Sequence, residues 1–254
     1  PIALGAGFVS VLTTSFCGGE TPPPMPFESV SFPSAEFNRD TPAYFIPAAQ
    51  PTGVAPPTGS TVIVVPTGAA ARGDRSGEIA VYHAAGFHVL TYSSRVCVGG
   101  AANTLGYAES FQLADALAYL ATRPEVAPAR IGVHGFSAGG AAALMAAARL
   151  PQLSAVVAMG GYHDFRAEVE RNTPPTNLFA PLFRFGAFGA YRLITGHDIS
   201  VLSPVSVIGQ IAPRPVLLVY GTNEPGLGGA RLQQAAGGSN VELWELPGAT
   251  HGDY

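Results

Sequence analysis

The sequence predicts an α/β fold, with a doubly wound, mostly parallel sheet, helices on both faces and a small cap-like insertion. Two observations lead to this prediction. Short apolar runs alternate with helical patterns along most of the chain, and one run passes through a tight glycine turn into an alanine-rich helix. Alternation of this kind places crossover helices over both faces of a parallel sheet. With 254 residues, 47% of them hydrophobic and 12% charged, the chain can build one sizeable core.

The N-terminal 26 residues differ in composition from the rest of the chain. Residues 2–16 are uncharged and mostly apolar, and a run of prolines follows at 22–24. This stretch is too short to span a bilayer, so we interpret it either as the remnant of an export signal with a tether or as a segment packed on the domain. We expect one domain over residues 27–254, and export rather than a cytoplasmic location. The chain has no initiator methionine and no closing helix after His251, so we expect both ends to be cut.

Eight stretches have the pattern of β-strands: residues 27–32, 41–46, 61–65, 87–92, the run that starts at 131, 155–159, 216–220 and 241–246. The first two alternate apolar and polar residues and are predicted to pair antiparallel. The third is a continuous β-branched run, which is typical of a buried parallel strand. Three stretches have helical patterns: residues 76–85, 109–122 and 141–150.

The strand that starts at 131 leads into the sequence Gly-Phe-Ser-Ala-Gly at residues 135–139. A serine at such a strand-to-helix turn adopts strained backbone angles, so its neighbours must be small, as Gly135 and Gly139 are. The turn pushes the Ser137 hydroxyl out over the sheet edge, at a helix N-terminus whose free amides favour negative charge. The alternative is a glycine-rich turn with an incidental serine. We predict that Ser137 is a nucleophile.

A serine nucleophile needs a base within hydrogen-bond reach, and the base needs an orienting carboxylate. In doubly wound hydrolases these groups follow the chain order serine, acid, histidine. His251 comes after the last predicted strand and Glu224 after the one before it, so we predict them as base and acid. Asp164, which follows the strand at 155–159, is the alternative acid. Asp253 is too near His251 in sequence to reach its ring.

The tetrahedral intermediate of such a reaction needs two backbone N–H donors for its oxyanion. The residue after the nucleophile, Ala138, supplies one. The loop after the strand at 61–65 is expected to supply the other, from Ala69 or alternatively from Gly68.

The alternation of strands and helices stops between residues 162 and 203, a segment rich in aromatic residues and prolines. It is too long for an ordinary connection. We predict that it forms a small cap or pocket wall over the active site, with His163 and Phe183 as pocket residues. The alternative is a packed helical excursion without substrate contact, because aromatic residues more often pack in a core than contact a ligand.

Four motifs together resemble the α/β-hydrolase superfamily, and within it the dienelactone hydrolases and the bacterial polyester hydrolases or cutinases. They are Val-Val-Pro-Thr-Gly at 64–68, Arg-Ile-Gly-Val-His-Gly-Phe-Ser-Ala-Gly-Gly at 130–140, Pro-Val-Leu-Leu-Val-Tyr-Gly at 215–221 and Pro-Gly-Ala-Thr-His at 247–251. The resemblance covers residues 27–254. It implies hydrolysis of carboxylic esters through an acyl-enzyme, without a cofactor.

Three positions depart from these families. Thr67 stands where a histidine is familiar, and Glu224 stands where aspartate is commoner. Dienelactone hydrolases use a cysteine nucleophile, so Ser137 favours a general esterase. We expect a serine esterase that acts on small or polymeric uncharged esters. The alternatives are a peptidase or amidase with the same triad, and a non-catalytic binding protein on the same fold, although such proteins usually lose the serine or the histidine.

Composition and charge exclude several other classes of function. The net charge of −4 gives no reason to expect nucleic acid or an anionic membrane as a partner. Neither a metal-ligand spacing nor a dinucleotide-binding glycine pattern is present, so we expect neither a metal nor a cofactor. The two cysteines, Cys17 and Cys97, form one bridge if the N-terminal tail folds back and are otherwise unrelated thiols. The sequence carries no signal about oligomeric state.

Overall fold

The centre of the protein is a sheet of eight strands. The computed structural model describes residues 1–13, 17–51, 53–173, 176 and 178–254. The strands of this part are β1 (Glu28–Pro33), β2 (Asp40–Ile46), β3 (Thr61–Val65), β4 (His88–Tyr92), β5 (Ile131–Phe136), β6 (Leu153–Met159), β7 (Val216–Gly221) and β8 (Val241–Leu246). Their spatial order is β1-β2-β4-β3-β5-β6-β7-β8. The pairs β1–β2 and β2–β4 are antiparallel, and the other five pairs are parallel.

The described helices are α1 (Ile2–Thr13), α2 (Ser76–Ala84), α3 (Arg95–Gly99), α4 (Gln112–Leu120), α5 (Ala138–Arg149), α6 (Phe165–Asn172), α7 (Ala180–Thr195) and α8 (Leu227–Gly237). Sheet and helices confirm the predicted fold class. The predicted helix at 109–122 starts later than expected, because residues 108–111 form a 3-10 helix before α4. The patterns did not predict α1, α3 or α8.

The central strands are buried along their whole length because helices cover them. All five residues of β3 are buried, as its β-branched run predicted. The main core lies between the sheet and α4, α5 and α8, and α5 is buried from Gly139 to Ala147. Small side chains let α5 approach the strands closely. A Cβ on Gly140 would lie 3.1 Å from the Gly135 carbonyl oxygen and 3.2 Å from that of Met159.

The insertion at 162–203 contains α6 and α7, and α1 packs against α7. The contact between α1 and α7 is possible because both helices carry glycine at the crossing. A Cβ on Gly5 would lie 2.0 Å from the Phe183 carbonyl oxygen, and a Cβ on Gly186 would lie 2.0 Å from that of Ile2. Residues 2–13 therefore form a helix that lies against the insertion.

A disulfide joins Cys17 to Cys97 in α3. Of the two alternatives that the sequence left open, the structure has the bridge, which holds Cys17 against α3. None of the described helices combines the length and the apolar character needed to span a bilayer.

Candidate active site

Ser137 occupies the turn between β5 and α5 and has a strained backbone. Its φ of 54° and ψ of −123° lie outside the regions that residues with a Cβ prefer. The turn is so tight that a Cβ on Gly135 would lie 2.1 Å from the Gly139 carbonyl oxygen, so only glycine fits at position 135. The Ser137 N–H donates to the Met159 carbonyl oxygen at 2.8 Å and ties the turn to β6. Among the described contacts, the Ser137 hydroxyl has no hydrogen bond.

His251 and Glu224 come together although 27 residues separate them. The His251 Nδ1 atom lies 3.1 Å from the Glu224 Oε2 atom. Glu224 sits in the turn after β7, and its side chain is only 3% exposed, whereas the side chain of His251 is 45% exposed. A buried carboxylate on Nδ1 fixes the ring orientation and leaves Nε2 on the opposite side free to accept a proton.

The second carboxylate oxygen of Glu224 is fully occupied. Oε1 accepts the Gly221 N–H at 2.8 Å and also the Tyr254 hydroxyl. Burial and the hydrogen bond to Glu224 raise the pKa of the Tyr254 hydroxyl above its usual value, so Tyr254 remains a donor. The two donors satisfy the buried carboxylate and direct Oε2 towards His251.

The ring of His251 lies against the residues around the serine turn. It stacks on the ring of Phe136, with 4.7 Å between centroids and 27° between planes. Its Nδ1 edge borders Gly160, where a Cβ would lie only 2.8 Å from Nδ1. No hydrogen bond joins Ser137 to His251 in the described part of the chain. Contacts of this kind are often long without substrate and tighten when it binds.

The two predicted oxyanion donors are unpaired backbone N–H groups on neighbouring elements. Ala138 is the first residue of α5, so its N–H has no acceptor within the helix. Ala69 lies in a turn closed by the Ala70 N–H, which donates to the Thr67 carbonyl oxygen at 3.1 Å. Neither N–H has an acceptor among the described residues. The loop after β3 and the serine turn are adjacent, since a Cβ on Gly139 would lie 3.3 Å from carbonyl oxygens at the end of β3 and the start of this loop.

The loop at 103–107 packs against the start of α5, next to the serine turn. Gly106 approaches Ala138 so closely that a Cβ there would lie 2.7 Å from the Ala138 carbonyl oxygen. Glu109, 3% exposed, holds this loop by accepting the N–H groups of Thr104 and Gly106, each at 2.9 Å. Tyr162 of the insertion also binds this loop, because its hydroxyl donates to the Leu105 carbonyl oxygen at 2.7 Å. The insertion thus contacts the start of α5 through this loop.

Comparison with known proteins agrees with the fold. Residues 102–185, which include the serine turn, match the dienelactone hydrolase family. The esterase Pf2001 from Pyrococcus furiosus is similar over 94% of this chain and 91% of its own, with 18% identity and a TM-score of 0.69. The hydrolase GrgF from Penicillium sp. sh18 is similar over 90% of this chain and 92% of its own, with 18% identity and a TM-score of 0.65. This chain has the α/β-hydrolase fold.

The resemblance that the sequence motifs predicted is confirmed at the level of the fold and of the matched family segment. A puromycin-hydrolyzing peptidase from Mycobacterium tuberculosis also has this fold. It matches 89% of this chain and 36% of its own length, with 20% identity and a TM-score of 0.65. No curated protein sequence matches this chain. The family match supports a hydrolase, and the neighbours include both esterases and peptidases.

The alternative acid, Asp164, has a different role. Asp164 is the N-cap of α6, where its carboxylate accepts the Ala167 N–H at 2.8 Å. Asp253 accepts the Thr250 N–H at 3.0 Å and does not contact His251. The described contacts therefore favour Glu224 as the acid, because it alone of the three bonds the histidine.

The described side-chain contacts of the two predicted pocket residues are with the insertion, α1 and α8. His163 is buried beneath α8, and its Nδ1 atom lies 2.8 Å from Glu168 Oε1. Phe183 packs on Phe8 of α1, with 6.0 Å between ring centroids. The cavity of about 200 Å³ that Phe183 lines includes neither Ser137 nor any triad candidate. Their roles as pocket residues stay predictions, because an aromatic or histidine residue in the sequence does not indicate which side of its helix or loop it will face.

Sequence reasoning missed Tyr254, which stabilises the acid of the candidate triad. A single tyrosine three residues after a histidine has no spacing that signals a role. Its hydroxyl reaches Glu224 only because the chain turns after His251, which is a tertiary feature.

Proposed function

We propose that this α/β-hydrolase is a serine hydrolase that cleaves carboxylic esters through an acyl-enzyme, with Ser137, His251 and Glu224 as its triad. The observation that carries the proposal is the contact of 3.1 Å between His251 and the buried Glu224, beside a serine held at a φ of 54°. A strained serine, an oriented imidazole and unpaired amides at the start of α5 and in the turn after β3 are the parts that acyl transfer needs.

In the proposed reaction, the Ser137 Oγ attacks the ester carbonyl carbon while His251 Nε2 takes the hydroxyl proton. The carbonyl electrons move to the oxygen, which the N–H groups of Ala138 and Ala69 stabilise. His251 then gives its proton to the leaving alkoxide, and the acyl-enzyme forms. Water, deprotonated by His251, attacks the acyl-enzyme. His251 then returns this proton to the Ser137 Oγ as the bond to the acyl group breaks, which releases the acid and restores the serine hydroxyl.

Glu224 stabilises the imidazolium that forms when His251 takes the proton. Its carboxylate is shielded from water, so its attraction to the positive ring is stronger than that of an exposed carboxylate. Gly221 and Tyr254 donate only to Oε1 and leave the other oxygen for the ring. We place Asp164 outside the reaction, because its carboxylate caps α6.

The disulfide supports the proposal that the protein is exported. Disulfides persist in oxidising compartments and are rare in the reducing cytosol. Cys17 is exposed, so a cytosolic reductant would have access to the bond.

Hydrolysis of matched p-nitrophenyl esters and p-nitroanilides tests the proposal. We expect turnover of acetate, butyrate and octanoate esters and far slower turnover of the anilides, and Ser137→Ala should abolish ester turnover with the fold intact. Ser31→Ala, which changes an exposed serine at the edge of the sheet, is the matched control and should retain activity within about twofold. Ester turnover that survives Ser137→Ala would contradict the triad, and equal rates on esters and anilides would indicate an amidase.

A further inference from the structure

The segment after α1 runs beside the turn that carries the proposed oxyanion donor. The Gly18 N–H donates to the Ala69 carbonyl oxygen at 3.1 Å, and the Thr21 N–H donates to the Arg72 carbonyl oxygen at 3.4 Å. Between these contacts, Glu20 forms an ion pair with Arg72 at 3.1 Å. We call residues 17–21 the clamp segment.

The clamp segment is anchored at its start. Its first residue, Cys17, is covalently bonded to Cys97 in α3, whose sulfur lies 3.4 Å from the Ala69 carbonyl oxygen. Upstream of it, α1 is held in place by Asn103, whose backbone N–H donates to the Thr13 carbonyl oxygen at 3.0 Å. The amide that reaches Ala69 thus comes from a segment with little freedom to move.

One peptide rotation within the turn at 67–70 would remove the oxyanion donor from the site. Gly68 has a φ of +57° and Ala69 a negative φ, so the peptide between them is the central peptide of a type II′ turn. Rotation of this central peptide by about half a turn would point the Ala69 N–H away from the site. If the next peptide stays fixed, that rotation forces a positive φ on Ala69, which its Cβ disfavours.

The clamp segment holds the next peptide in place. The peptide between Ala69 and Ala70 is bonded on both sides: its carbonyl oxygen accepts the Gly18 N–H, and its N–H donates to Thr67. Without the Gly18 contact this peptide can rotate together with the central one, and the penalty at Ala69 is avoided.

We propose that the clamp segment, with Gly18 as a positioning residue and the Cys17–Cys97 bond as its anchor, holds the Ala69 N–H in the direction in which it binds the oxyanion. This inference rests on the proposed function, because it needs an oxyanion at the site. Gly18 touches no substrate and acts through Ala69.

A matched pair of variants at position 18 tests the inference. Gly18→Pro removes the N–H donor, whereas Gly18→Ala keeps it, and a Cβ there meets only the Ala69 oxygen at 4.0 Å. Loss of one oxyanion donor lowers kcat about a hundred- to a thousandfold, so a misdirected donor should lower it at least tenfold. We expect that loss in Gly18→Pro with KM unchanged within about twofold, and kcat unchanged within about twofold in Gly18→Ala.

A transition-state readout separates positioning from a general structural effect. An aliphatic trifluoromethyl ketone reacts with the serine to give a hemiketal whose oxyanion occupies the hole. Its inhibition constant should rise in Gly18→Pro by the same factor by which kcat/KM falls. An unchanged inhibition constant, or equal kinetics in the two variants, would overturn the inference.

Reduction of the disulfide is a second test if Gly18→Pro does not fold. Dithiothreitol treatment of the unmodified protein, with two released thiols counted, should lower kcat at least threefold, and unchanged kcat after complete reduction would overturn the inference.

The two proposals fail differently. If the unmodified protein hydrolyses no ester, the proposed function fails, and the inference that rests on it falls too. If it hydrolyses esters but does not respond to the Gly18 change or to reduction, the inference alone fails.

Discussion

Glu224 has its two carboxylate oxygens in different environments, and this asymmetry makes a prediction about charge. Oε2 faces His251 at 3.1 Å, while Oε1 accepts two other donors. Glu224→Gln keeps the size of the side chain but removes the negative charge and favours the wrong imidazole tautomer. We predict that kcat for ester hydrolysis falls about a hundred- to ten-thousandfold, measured as steady-state rates at pH 8.

The alternative acid provides the control for this prediction. Asp164→Asn leaves the cap of α6 nearly intact, since asparagine is also a good N-cap. We expect its kcat to stay within about twofold of that of the unmodified protein. A large loss in Asp164→Asn together with full activity in Glu224→Gln would exchange the two assignments.

The burial of His134 predicts how the stability of the protein depends on pH. Its side chain is 2% exposed and contacts the Tyr82 hydroxyl at 3.1 Å, and burial lowers the pKa of the imidazole to about 4 from 6.5. Between pH 6.5 and about pH 4, His134 is protonated in the unfolded chain but remains neutral in the folded chain. The free energy of unfolding should therefore fall as the pH drops through this window, by about 3 kcal/mol in total.

Urea unfolding at pH 7, 5.5 and 4.5 measures this loss. In His134→Gln the position no longer titrates, so the loss of stability between pH 7 and 4.5 should be smaller than in the unmodified protein. Other groups titrate equally in both proteins. An identical pH dependence of the two would show that His134 does not resist protonation in the folded state.

At the scale of single residues, the sequence could predict the groups that belong to a motif. Ser137 and His251 were identified by a turn motif and by chain order, and their catalytic roles stay predictions. Tyr254 could not be predicted, because no motif connects it to Glu224. The packing of Phe183 on Phe8 could not be predicted either, because only tertiary packing decides whether an aromatic ring faces a pocket or another helix.

Among the elements, the packing of α1 on α7 depends on glycine at the crossing. Gly186→Val would place a Cβ 2.0 Å from the Ile2 carbonyl oxygen, so α1 must move away from α7. We predict a loss of about 1–3 kcal/mol in the free energy of unfolding and faster protease cleavage of the N-terminal segment.

Gly189→Val in the same helix is the matched control, since a Cβ there meets nothing within 4 Å. Both variants place the same side chain in α7, so the difference between them reports the crossing. Equal protease sensitivity of the two variants would mean that α1 does not pack against α7 in solution.

Elements were predictable where local pattern decides structure. The patterns at residues 61–65 and 241–246 predicted β3 and β8 with their observed bounds. In contrast, α1 is apolar on all sides, α3 has five residues, and α8 is rich in glycine and alanine, so none of them shows an amphipathic period. These helices form because the rest of the protein packs against them.

At the scale of the whole molecule, the disulfide closes a long loop. Cys17 and Cys97 are 80 residues apart, and closing a loop of that length removes entropy from the unfolded chain worth about 4 kcal/mol. We predict that a Cys17→Ser/Cys97→Ser double variant loses about that much stability in urea unfolding. Detection of two free thiols in the denatured, unreduced protein would contradict the bond.

The strand order could not be derived from the sequence, although the fold class could. Alternating patterns identify a parallel sheet, but β4 lies between β2 and β3 because of crossovers that no local pattern encodes. The same holds for the disulfide, since two cysteines and a tail permit pairing without requiring it.

The central claim is that Ser137 is an activated nucleophile. Intact-mass spectrometry after treatment with a fluorophosphonate tests it most directly, with the modified peptide then mapped. We expect a single adduct on Ser137, formed at a rate that falls sharply in His251→Ala, together with loss of p-nitrophenyl ester hydrolysis. A folded protein that forms no adduct, or one that is modified at another residue, would contradict it.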